Sequence, residues 1–126
     1  MNVSLGRILL YVKDVESMAL FYEDHFGFRI LREEGDRIVE LESPTDSACN
    51  IMLHPLAKGR KAGQTLVKLL FDTEDVEGFC AISKKKGLKF GKIFYANGYS
   101  FANAKDPAGN SISVSSRHFR PQNTSS

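Results

Sequence analysis

Val12-Lys13-Asp14-Val15-Glu16, continuing into Phe21-Tyr22-Glu23-Asp24-His25-Phe26-Gly27-Phe28, decides how this chain folds. Asp14 suits a helix N-cap, and Glu16 puts negative charge in the first turn, where the macrodipole favours it. Val15, Met18, Ala19, Tyr22 and Phe26 then recur at i, i+3, i+4, i+7 and i+11, which is one helical face. Gly27 fits the left-handed position that ends a helix. The opening repeats 61 residues on as Asp75-Val76-Glu77, with Val76, Phe79 and Cys80 on one face and Gly87 as the stop. An offset of half the chain points to two similar units in tandem.

The segments around the two helices repeat in the same order. Arg7 to Val12 reads as a strand before the first helix, and Phe28 to Glu33, Arg37 to Glu42 and Cys49 to His54 as three strands after it. Ala57 to Gly63 is a polar, glycine-containing connection. Thr65 to Phe71 is then a strand before the second helix. Lys89 to Tyr95, Tyr99 to Lys105 and Ser111 to Ser115 follow, with turns at Ala96-Asn97-Gly98 and Asp106-Pro107-Ala108-Gly109-Asn110. The reading is α+β: two βαβββ modules, about 5–56 and about 64–117, forming one domain with a tail at 118–126. Pro121 to Ser126 reads as frayed.

Composition bounds the function. Hydrophobic residues make up 42% and charged residues 25% of the 126, as in an ordinary globular domain. A net charge of +2 does not call for nucleic acid, and Lys84-Lys85-Lys86 sits where a helix C-terminus favours cations. No run approaches the roughly 18 apolar residues of a membrane helix. The N-terminus lacks the pattern of a secretory leader. Cys49 and Cys80 lack metal-ligand spacing and read as small buried thiols. A reduced, cytoplasmic protein is expected.

Strand parity separates two faces. Ile8, Leu10, Val12, Ile51, Leu53, Val67, Leu69, Phe71, Ile112 and Val114 make an apolar side to pack under helices. The other side carries Arg7, Leu9, Tyr11, Met52, His54, Leu66, Lys68, Leu70, Ser111, Ser113 and Ser115. Such a mixture suits a ligand-pocket wall, a subunit interface or an exposed sheet face. Tyr99, Phe101 and Asn103 share one parity, but their facing stays open. His54 and Glu40 are the weak acid–base candidates. His25 reads as a surface residue that offsets the helix dipole, and His118 as part of the tail.

The tandem motifs, with Asp106-Pro107-Ala108-Gly109-Asn110 before the last strand, resemble the vicinal oxygen chelate superfamily. That group includes glyoxalase I, extradiol dioxygenases and the fosfomycin- and bleomycin-resistance proteins. The resemblance implies a curved eight-stranded mixed sheet, a cup with helices outside, enclosing the site. Metal-dependent members place His, Glu or Gln ligands on four strands. Counted from the motifs, those positions here are Arg7, Met52, Lys68 and Ser113. Two cations, a thioether and a hydroxyl do not suit a hard divalent ion, so no metal and no cofactor is expected.

The pseudo-symmetric Arg7 and Lys68 suggest an anionic small molecule, flanked by Tyr11, Met52, Leu66, Leu70 and Ser113. Neutralisation by Glu40, Glu42 or Asp72 is the competing reading. The expected function is metal-independent binding, as in a sequestering or resistance protein. The alternative is a metal-dependent lyase or dioxygenase with a rearranged site using His54 and Glu40. A homodimer follows from the resemblance.

Overall fold

The cap residues set both helices. A computed structural model of the chain describes residues 6–46, 49–61, 63 and 67–121. In it, helix α1 spans Val15–Phe26 and helix α2 spans Val76–Lys85. Asp14 Oδ1 accepts the Ser17 N–H at 3.1 Å, and Asp75 Oδ1 accepts the Gly78 N–H at 2.9 Å. Each carboxylate thereby satisfies one orphan donor of a first turn. Gly27 ends α1 at φ 73°, its N–H donating to the Glu23 carbonyl at 3.1 Å. At the end of α2, Lys86 is the C-cap and Gly87 follows at φ 93°.

The chain divides into two compact units, Met1–Gln64 with Asp106–Gly109, and Thr65–Lys105 with Asn110–Ser126. The first holds β1 (Arg7–Val12), α1, β2 (Arg29–Leu31), β3 (Val39–Glu42) and β4 (Asn50–Pro55). Its sheet runs β1-β4-β3-β2, with β1 parallel to β4 and the other pairs antiparallel. Leu10, Val12, Val39, Leu41, Ile51 and Leu53 form the buried face, against which Met18, Ala19 and Tyr22 of α1 are also buried. Burying each such aliphatic side chain contributes about 1.5–3 kcal/mol. β3 starts two residues later than expected because Asp36 Oδ1 takes the Ile38 N–H at 2.9 Å, a local turn that competes with the ladder.

The Asp106–Gly109 turn belongs to this first unit. The Tyr22 hydroxyl donates to Asp106 Oδ2 at 2.8 Å, and both side chains are buried. Burial, the Asp106 charge and this hydrogen bond push the Tyr22 phenol far above its ordinary range. Gly63, at φ 71°, lies so close that a Cβ would stand 2.7 Å from the Ala108 carbonyl oxygen.

The second unit repeats the pattern with β5 (Lys68–Asp72), α2, β6 (Phe94–Ala96), β7 (Tyr99–Lys105) and β8 (Ser111–Ser115). Its sheet order is β5-β8-β7-β6, again with first and last strands parallel. Leu69, Ala102, Ile112 and Val114 face the core with Val76 and Ser83 of α2. β6 is much shorter than Lys89 to Tyr95. Gly91 makes one backbone bond to the Asn103 carbonyl at 2.9 Å, but a mid-strand glycine weakens the ladder around it. A 3-10 helix, Arg117–Phe119, follows β8, so His118 belongs to structured chain and not to a tail.

Thus, among the described residues, the observed fold is α+β, with two α-helices and two four-stranded mixed sheets. Thr65 and Leu66 of the expected fifth strand, Ala62 of the connection and residues 122–126 lie outside the described residues. No described helix is long and apolar enough to cross a membrane.

Candidate functional site

Each sheet carries the candidate residues on the face away from its helix. In the first unit the register sets Leu9 opposite Met52, Tyr11 opposite His54, and Glu40 opposite Met52 on the other side. Arg7, one pair further along, donates from Nε to Glu40 Oε1 at 2.8 Å. The hydrogen bond to Glu40, and then the Glu40 charge, raise the Arg7 pKa further. Its side chain remains 60% exposed, so solvent screens this pair heavily. Of the three acids considered as its neutraliser, Glu40 takes the role, while Glu42 binds Arg29 on the neighbouring strand.

Glu40 and His54 are therefore engaged elsewhere. The His54 Nδ1 meets the Pro55 carbonyl oxygen at 2.7 Å. A carbonyl only accepts, so Nδ1 carries the proton in this arrangement. The ring packs against Tyr11 at 5.2 Å between centroids. His25, expected at the surface, is half-buried, with its ring 4.9 Å from that of Phe21.

In the second unit, Lys68 lies opposite Ser111, and Asn103 opposite Ser113. Lys68 Nζ donates to Asn103 Oδ1 at 3.0 Å, so the pair spans β8 diagonally. Register decides what sequence parity left open: Tyr99, Phe101 and Asn103 share the face of Lys68 and Leu70. Ser113 is 1% exposed and donates its hydroxyl to the Ala102 carbonyl at 2.9 Å. The serine series is a polar sheet face, as read, but Ser113 and Ser115 are buried within it. Leu70 is 63% exposed. Leu66 lies outside the described residues.

A cleft of about 920 Å³ opens on this second face. Leu70, Asp72 and Ser115 come from the sheet, Asn97 from the β6–β7 turn, and Arg117, His118, Arg120 and Pro121 from the segment after β8. The basic residues of that segment were missed from sequence. Their signal was present: Arg117 and Arg120 stand three apart directly after the last strand.

The donor set at the four counted positions does not fit a hard divalent ion. Arg7 and Lys68 present cationic donors with no lone pair, Met52 offers a soft sulfur, and Ser113 is committed to a backbone carbonyl. Among the described residues no three His, Cys, Asp or Glu side chains come together.

Comparison with known proteins defines the class. The model of the Glyoxalase/Bleomycin resistance protein/Dioxygenase superfamily matches residues 4–114, and the chain belongs to that superfamily. Comparison with curated proteins gives no match. Among solved structures it is similar to TnmS3, an antibiotic binding protein from Streptomyces sp. CB03234. That likeness has a TM-score of 0.75 and 23% identity over 90% of this chain and 96% of that one. UcmS2 gives a TM-score of 0.77 at 16% identity, covering 92% and 99% of the two chains. A lactoylglutathione lyase from Agrobacterium tumefaciens gives 0.68 at 18% identity, covering 90% and 93%. At these identities the structures share the fold.

Proposed function

We propose that this chain is a small-molecule-binding protein of the superfamily that works without a metal and takes an anionic ligand. The observation that carries the reading is Lys68. Its ammonium is spent on a neutral amide oxygen, Asn103 Oδ1, on a face that also exposes Leu70. A carboxylate or phosphate would satisfy that charge better than an amide does. In the first unit Arg7 has an exposed Glu40 partner that an anion can displace, with Tyr11 and Met52 as apolar surface on its own sheet, just as Leu70 accompanies Lys68 in the second. Ser113, opposite Leu70 and Asn103 in the sheet, is buried with its hydroxyl on the Ala102 carbonyl and offers a ligand no free donor. The likeness to an antibiotic binding protein supports binding, and so a sequestering or resistance role.

The enzymatic alternative is a lyase or dioxygenase built on His54 and Glu40. Nothing in the geometry favours it, since those side chains are turned to Pro55 and Arg7. Two expectations complete the proposal: a homodimer, which light scattering would report as twice the chain mass, and a reducing cytoplasmic setting, consistent with free Cys49 and Cys80.

Thermal-shift screening of carboxylate- and phosphate-bearing small molecules with EDTA present tests the function. Ligands should raise the melting temperature despite the chelator, and for phosphate-bearing ligands the shift should shrink markedly in Lys68→Met. Stabilisation that appears only with added manganese, iron or zinc would contradict the reading.

A further inference from the structure

Two arginines converge on one tyrosine at the end of the second unit's exposed sheet face. The guanidinium carbons of Arg117 and Arg120 lie 5.2 and 5.6 Å from the centroid of the Tyr99 ring. Arg117 also donates from Nη1 to the Tyr99 hydroxyl at 3.1 Å. Its backbone N–H donates to Ser115 Oγ at 3.1 Å, which anchors the segment to β8. Stacking and a neutral hydrogen bond orient guanidinium groups without cancelling their charge. Among the described residues no ion pair involves either arginine. Both line the cleft of about 920 Å³, together with the exposed Leu70 and a single acid, Asp72.

Two oriented donor forks with one acid opposing them leave the cleft positive. A planar fork matches a carboxylate in two parallel bonds, and exposed leucine surface favours an apolar body. The volume lies within the usual range of small-molecule sites. We infer that this cleft is a recognition site for an apolar monocarboxylate, with Arg117 and Arg120 taking the carboxylate and Leu70 the body. Asp72 sets the preference for a single negative charge. The site requires neither Lys68 nor Arg7, so it goes beyond the function proposed above.

Nitrogen-15 spectra of the full chain, titrated with 1-naphthoate and with neutral 1-naphthalenemethanol, test this. Naphthoate should shift the amides of Leu70, Asn97 and Ser115 to Arg120 saturably, and the alcohol should bind at least about tenfold more weakly. Arg117→Gln with Arg120→Gln should weaken naphthoate by about tenfold or more. Asp72→Asn should strengthen it, a gain that misfolding cannot produce. Equal affinity in the double arginine variant, equal binding of the alcohol, or shifts confined to other residues would overturn the inference. None of these variants alters Lys68, so failure here leaves the Lys68 reading standing.

Discussion

Tyr22 shows how a residue read only as part of an apolar stripe acquires a second role. Its ring fills the core of the first unit, while its hydroxyl serves the buried Asp106 carboxylate. Tyr22→Phe keeps the ring and strips the carboxylate of a donor, which should cost about 1.5–3 kcal/mol in urea unfolding. The pH dependence follows from the raised phenol pKa. The folded state holds the proton more tightly than the unfolded chain, so this stability is complete below the ordinary value of 10.0 and declines above it. Each pH unit beyond that value should remove about 1.4 kcal/mol, and the decline should be shallower in Tyr22→Phe.

At the same scale, Arg7 and Lys68 were located by counting from the two Asp-Val-Glu motifs. Their partners were not. Choosing among Glu40, Glu42 and Asp72 depends on cross-strand register, and Asn103 could not be considered until its facing was known.

At the scale of elements, the capped helices and the last two strands were legible because their signals are local. Asp14, Asp75, Gly27 and Gly87 act within a turn of their own position. Asp75→Ala should cost about 0.5–2 kcal/mol by removing the acceptor of the Gly78 N–H, read as a lower melting temperature. Short strands were less legible, since their ends depend on competing turns such as Asp36 with Ile38 before β3. Close approaches were invisible, and Gly63 is the clearest case. Gly63→Ala combines positive φ with overlap on the Ala108 carbonyl and should cost about 2–4 kcal/mol. Gly35, at φ 82°, has nothing within 4 Å of its added Cβ. Gly35→Ala should therefore pay only the conformational cost of about 1–2 kcal/mol. Equal losses in the two variants would remove the contact argument.

For the whole molecule, the duplication was the most legible property, because matching element order encodes matching sheet order in each unit. The candidate site was legible only in part. Parity assigned faces, but it could not reveal that Ser113 is sealed by a backbone carbonyl. Nor could it show that the segment after β8 brings Arg117 and Arg120 onto Tyr99. Both depend on packing between segments distant in sequence.

The central proposal is that this member of the superfamily, with Arg7, Met52, Lys68 and Ser113 at the counted ligand positions, holds no metal and binds an organic ligand. Elemental analysis tests it most directly, on protein grown in metal-supplemented medium and purified without chelator. The account expects manganese, iron, nickel and zinc each well below one equivalent per chain. One equivalent of any of them, retained through gel filtration, would contradict it.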